Sequence, residues 1–181
     1  MFSSSNKFDP NTDIPDLSGR VYVVTGGNSL QKYGDVSRVE LIQCDLEDLR
    51  QTDEVAKTFA SQLQRLDALV LNAGLGVGLY AETIDGLDSH MQVNVIAQHH
   101  LARTLLPLLI ATPDSRLCFQ SSEMHRLGTS GVEFRDEKEI NRDIGPTKLY
   151  ARSKLAQVLL CRGLRRREMR GELRLSPGRA P

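Results

Sequence analysis

Tyr150 and Lys154 are the residues of this 181-residue chain whose types and spacing most directly allow chemistry. Four apart in a helix, they project from one face a turn from each other. A phenol with an ordinary pKa near ~10 is a poor acid-base group at neutral pH, and a neighbouring ammonium favours phenolate and brings it toward a working range. The pair therefore suits proton transfer to or from an oxygen. The same spacing also occurs on solvated helices, so the weight falls on its company. Thr25-Gly26-Gly27, Asp45, Asn72-Ala73-Gly74 and Ser121-Ser122 each stand where an apolar run stops.

Those runs define the elements that must position the pair. Val21-Tyr22-Val23-Val24 reads as a short buried strand entering a turn, and Val39–Cys44 as a second strand stopped by Asp45. From Glu47 to Leu66, Val55, Phe59, Leu63 and Leu66 recur at helical steps. Asp67–Leu71 is a third strand. Leu87 to Ile110 carries Met91, Val95, Leu101, Leu105 and Leu109 and predicts a helix packed over much of its surface. Arg116–Gln120 is a fourth strand, a polar loop runs from Glu123 to Lys148, and the last helix spans Leu149 to about Arg167. Strands alternating with such helices predict an α/β fold, a doubly wound parallel sheet of Rossmann type, whose ligands sit outside the carboxyl ends of the strands. The four polar stops then share one crevice, although strand ends need turn residues in any case. The expected organisation is a polar extension (1–18), one domain (19–167) and a basic tail (168–181).

Composition narrows the function. Apolar residues make up 40% and charged residues 25%, which requires a packed core, and 23 basic residues balance 23 acidic ones. With no net charge there is no global field for nucleic acid or an anionic membrane. The arginines Arg162, Arg165, Arg166, Arg167 and Arg170 suit a solvated helix end complementing the helix dipole. Cys44, Cys118 and Cys161 are odd in number, widely spaced and set among apolar residues, so buried, reduced thiols are expected. No secretory signal and no membrane span is legible, and the expected location is cytoplasmic. His90, His99, His100 and His125 lack metal-ligand spacing.

In order along the chain, Thr25-Gly26-Gly27-Asn28, Asp45, Asn72-Ala73-Gly74, Asn94, Ser122 and Tyr150-Ala151-Arg152-Ser153-Lys154 resemble the motifs of the short-chain dehydrogenases/reductases. The likeness is nearest to the branch with retinol-dehydrogenase-like and many fungal enzymes, from about Leu17 to about Leu164. The resemblance implies an NAD(P)-dependent oxidoreductase interconverting a small-molecule carbonyl and an alcohol, with NADP favoured over NAD. Tyr150 would be the general acid or base, and Lys154 would hold the nicotinamide ribose and lower the tyrosine pKa. Ser122 would polarise the substrate oxygen, and Asn94 would anchor a proton-relay water. Gly26, Asn28, Asp45, Asn72, Ala73 and Gly74 would line the cofactor, together with Tyr150 and Lys154. The residues alone leave plainer roles open: Ser122 as a strand terminator, Asn94 as an ordinary helix position, Asp45 as the cap of the helix near Glu47.

The sequence departs from the family pattern at two places. Leu30 and Lys32 replace the glycines that let the backbone approach a pyrophosphate. Only nine residues separate Ser29 from Val39, too few for the helix and strand of a ~30-residue βαβ unit. After Leu164 no apolar runs remain for further strands. The expected sheet is therefore incomplete, and the chain a shortened form of a longer family sequence. Either the first strand pairs directly with Val39–Cys44 or both edges stay open. The alternative function is a non-catalytic remnant that acts by association, as a homo-oligomer.

Overall fold

β1 (Tyr22–Val24), β2 (Ala68–Leu71) and β3 (Arg116–Phe119) form one parallel sheet in the order β1-β2-β3. The computed structural model describes residue 9 and residues 12–27, 38–128 and 131–171. Asn28 and the glycine-poor connection through Ser37 lie outside the described residues, as does the tail from 172. In register, Tyr22 stands opposite Ala68 and Leu71 opposite Phe119. Parallel neighbours need a crossover, and helices supply both. Helix α1 (Leu49–Gln62) precedes β2, and a continuous helical rod joins β2 to β3. The rod consists of α2 (Ser89–Met91), a π-helical turn (Gln92–Ile96) and α3 (Ala97–Ala111).

Burial follows the two periodicities. Leu69 and Leu71 alternate into a cluster with Val23, Ala56, Leu66, Leu101, Leu105 and Leu109, so the sheet, α1 and α3 share one core. Asp48 starts α1 by accepting hydrogen bonds from the backbone N–H groups of Arg50 and Gln51 at 2.9 and 3.2 Å. Asp45 is thus not the cap; its Oδ1 accepts only the Glu47 N–H, two residues on. Helix α5 (Pro146–Met169) begins three residues before the expected Leu149, because Pro146 at the first turn supplies a helical φ and lacks an N–H that would have no partner there. The polar loop before it holds a 3₁₀ helix (Glu123–Gly128) and a short α4 (Glu137–Ile140). No helix among the described residues is long and apolar enough to cross a membrane.

Two expectations fail. Val39–Cys44 is not a strand: it joins no ladder, and the outer side of β1 carries none among the described residues. The sheet meets its gap by leaving an edge open, and Val39, Leu41 and Ile42 are exposed with it. The cysteines are not core residues either. Cys118 and Cys161 are exposed and Cys44 is half-buried. On β3 it is Leu117 and Phe119 that pack against the core, so Cys118 between them points away.

A buried carboxylate ties the amino ends of β1 and β2 together. Asp67 Oδ2 accepts the Val21 N–H at 2.8 Å, and Arg65 donates to both carboxylate oxygens at 2.8 and 2.7 Å. The Arg65 guanidinium, aided by the Val21 N–H, holds this carboxyl below the usual range against the effect of burial. A depressed carboxylate contributes stability that is full above its unfolded pKa of about 4 and is lost as pH falls through the lower folded value. Asp67→Asn is expected to cost about 2 kcal/mol at neutral pH. It should also remove part of the stability loss that the parent shows on acidification. Thermal melts of both proteins from neutral to acidic pH check this; parallel curves would reject the assignment.

Candidate active site

The carboxyl end of β2 is a turn clamped from two sides. Thr25 Oγ1, just past β1, accepts the N–H groups of Asn72 and Ala73 at 3.0 and 2.9 Å and donates to Gln98 Oε1 at 3.1 Å. Gln98 Nε2 in turn donates to Ala73 O at 2.8 Å. Beside this, Gly26 has φ +80° and lies so close that a Cβ would stand 3.0 Å from Ala73 Cα. That position needs glycine for both its conformation and its contact.

The next residues are held by Asn94, which is fully buried in the π-helical turn. Its Oδ1 accepts the Leu75 N–H at 2.7 Å, while its Nδ2 donates to Leu75 O at 3.1 Å and to Ser153 Oγ at 2.8 Å. Its backbone carbonyl accepts from Gln157 Nε2 at 2.8 Å. One asparagine thus joins the turn after β2, the central rod and α5. A π-turn places a side chain and a carbonyl where a regular helix would not, which is why such turns recur at functional sites.

Lys154 and Tyr150 are brought to the same place by α5. Lys154 Nζ donates to Gln120 O at 2.9 Å, one residue past β3, and lies 5.6 Å from the centroid of the Tyr150 ring. A Cβ added to Gly74 would stand 3.4 Å from that same Nζ. Burial pushes the Lys154 ammonium down from its ordinary pKa. Ser121 Oγ donates to Lys154 O at 2.9 Å, fixing the helix against the strand end. Ser122 Oγ accepts the Met124 N–H at 3.2 Å at the start of the 3₁₀ helix, which leaves its own proton to donate. That 3₁₀ helix packs on α5 at Gly128, where a Cβ would stand 2.6 Å from Ala151 O.

Of the residues singled out in the sequence, Gly26, Asn72, Ala73, Gly74, Asn94, Tyr150 and Lys154 are joined by contacts at the carboxyl ends of β1, β2 and β3. Ser122 begins the segment packed on the same helix. Asp45 stands apart, exposed before α1, and Asn28 falls outside the described residues. Among the described residues no three metal-ligating side chains cluster. Sequence reasoning missed the supporting groups. Gln98 is four residues from Asn94 and Gln157 three from Lys154, so each shares a helix face with a recognised residue, and that spacing was the available signal. Arg152 and Asp88 carried none. Arg152 is buried, donates to Glu139 O and Ile140 O at 2.9 and 2.6 Å, and faces Asp88 Oδ1 at 3.7 Å. Asp88 caps α2 through the Met91 N–H. Burial lowers the Arg152 pKa and Asp88 partly restores it.

Comparison with known proteins gives a match to the family model of short chain dehydrogenase over residues 24–133. A Neurospora crassa protein named oxidoreductase bli-4, mitochondrial, is 35% identical over 83% of this chain, and the chain spans only 47% of that relative's length. Among solved structures, an uncharacterized protein from Mycobacterium paratuberculosis aligns with TM-score 0.71 and 28% identity, covering 91% of this chain and 67% of its own. The Pseudomonas aeruginosa RhlG/NADP active-site complex aligns with TM-score 0.51 and 26% identity, covering 77% of this chain and 53% of its own.

Gly74 tests how tightly the site is built. A Cβ there would lie 2.9 Å from Asn94 Oδ1, an atom that three bonds of the same amide prevent from yielding. Gly74→Ala is expected to break the Leu75–Asn94 pairing and to lower stability by about 1–3 kcal/mol, the cost of stranding buried polar groups. Denaturant unfolding measures it. An unchanged midpoint would show that the clamp is slack.

Proposed function

The chain belongs to the short-chain dehydrogenase family, and on that premise we propose that it is an NAD(P)-dependent oxidoreductase that interconverts a carbonyl and an alcohol. One observation carries the reading: Lys154 Nζ sits between Gln120 O at the end of β3 and Gly74 after β2, with the Tyr150 ring 5.6 Å away. A phenol and an ammonium thus meet where an open parallel sheet receives its ligands.

The residues present fit the nicotinamide-ribose end of a dinucleotide. Asn72, Gly74 and Gly76 are exposed along the turn, and nothing stands within 4 Å of where a Cβ on Gly76 would be. Lys154 would hold the ribose, Gly26 and the Asn72-Ala73-Gly74 turn would line the cofactor, and Asn28 and Asp45 would serve its adenosine side. The bound dinucleotide supplies or accepts the hydride. Tyr150 donates its proton to the carbonyl oxygen in reduction and removes one from the alcohol in oxidation. Ser122, with its proton free to donate, polarises the substrate oxygen. Asn94 holds the turn and α5 in register and would anchor the water that links Lys154 to solvent as a proton relay. NADP is the favoured cofactor, and the cytoplasm the favoured compartment.

A second reading, a remnant that acts by association, is favoured by β1, which has no partner on its outer side among the described residues and whose Tyr22 and Val24, on one face, are 43% and 46% exposed. An unpaired apolar edge is a template for another chain. Calorimetry of the purified chain with NADPH and NADH separates the two readings. The enzyme reading expects saturable heat, and sedimentation that stays monomeric with concentration counts against association. For catalysis, Tyr150→Phe is expected to reduce carbonyl turnover by about 10²–10⁴-fold with NADPH affinity nearly unchanged. Lys154→Met should weaken both. Retained turnover in Tyr150→Phe would reject the assigned acid.

A further inference from the structure

Five residues leave the carboxyl end of β2 past Gly74 as Leu75-Gly76-Val77-Gly78-Leu79. Apolar side chains occupy every odd position and glycines every even one, with no polar side chain between them. The backbone of this segment is built in rather than loose. Leu75 is held through both its N–H and its carbonyl by Asn94. The buried His90 donates from Nε2 to Gly76 O at 3.1 Å, and a Cβ on Gly78 would stand 3.6 Å from that same nitrogen. Further along, the Ser89 N–H donates to Ala81 O at 2.9 Å.

Within these clamps Gly78 faces His90, the Cβ direction of Gly76 is open, and the large side chains stand outward. Leu75, Val77 and Leu79 are 36%, 57% and 81% exposed, a ridge of rising exposure that begins beside Lys154 and leads away from it. Leu127, exposed as well, stands on the 3₁₀ helix that leaves the neighbouring strand β3 just after Ser122. Segments from adjacent strand ends therefore both carry exposed apolar side chains, one starting beside Lys154 at Gly74 and the other packed on α5 at Gly128. Contiguous exposed apolar surface held by buried polar groups marks a binding wall.

We infer that Leu75, Val77 and Leu79 form the apolar wall of the substrate site, and that the substrate carries its carbonyl or alcohol on an extended hydrocarbon body laid along this ridge. The inference rests on the oxidoreductase reading, which places the reacting oxygen at Tyr150. The ridge's continuity with that pair, through Gly74 and Leu75, selects substrate over other occupants. The ridge offers no charged or hydrogen-bonding side chain to a sugar, a nucleotide or a polyol.

Calorimetric titration of the full chain with 1-butanol, 1-hexanol and 1-octanol, with and without NADP, tests it. Each added methylene should tighten binding by about two- to fourfold. In the double variant Val77→Asn/Leu79→Asn that gain should nearly vanish. Ile84→Asn, an exposed apolar position outside the ridge, should keep it. Affinity independent of chain length, or an equal gain in the double variant, would overturn the assignment. So would a double variant that altered sedimentation and left alcohol binding as in the parent, since the ridge would then serve a second copy. Turnover of butanal and octanal with NADPH is measured in parallel. Chain-length-dependent binding without turnover would count against the catalytic reading and not the wall, and turnover without chain-length preference would count against the wall alone.

Discussion

The arrangement of the site depends on one buried amide. Asn94 pairs with both backbone groups of Leu75 as a neighbouring strand would, and spends its remaining donor on Ser153 in the helix that carries Tyr150 and Lys154. Buried amides are costly unless satisfied, and here satisfaction requires three segments to be in register at once. The turn after β2, the central rod and α5 are therefore placed relative to one another by a group with no freedom to compromise. Thr25 and Gln98 extend the same logic to the end of β1. The Tyr150–Lys154 pair does not organise the site; it stands on a frame of closed polar contacts.

Much of this was legible in the residues, and the boundary of legibility is physical. The strands that exist, Tyr22–Val24, Ala68–Leu71 and Arg116–Phe119, were readable because each is an apolar run ended by small polar residues. Val39–Cys44 has the same local signature and forms no strand, since a strand is a property of a pair and among the described residues this run joins no ladder. Tyr150, Lys154 and the Asn72-Ala73-Gly74 turn were readable as motif. Arg152 and Asp88 were not, because a buried ion pair across 64 residues of sequence leaves no periodic trace. The misjudged cysteines have a simple cause: an apolar neighbourhood in sequence says little about a residue that alternates to the opposite face.

The sheet's shortage of strands and the close packing around Lys154 are compatible because they involve different parts of the same elements. β1 and β3 are both edge strands of the described sheet, and the contacts around Lys154 come from the segments that follow β2 and β3 and from α5 rather than from either lateral edge. Asp67 secures the opposite, amino ends, so β1 is fastened to β2 at both extremities, by a carboxylate at one and the Thr25 hydroxyl at the other. What remains open among the described residues is lateral, away from the contacts around Lys154.

The π-turn at Gln92–Ile96 has one further consequence, for how the rod can change over time. Winding an extra residue into a single turn puts the segments before and after it out of phase by roughly 100° relative to an uninterrupted α-helix. Asp88, His90 and Asn94 answer to the site in one phase, and Leu101, Leu105 and Leu109 answer to the core in the other. The rod is a splice of two helical reading frames, and each half is free to vary only within its own. A substitution leaves the two frames in phase, whereas a one-residue deletion there would force one half to surrender its allegiance.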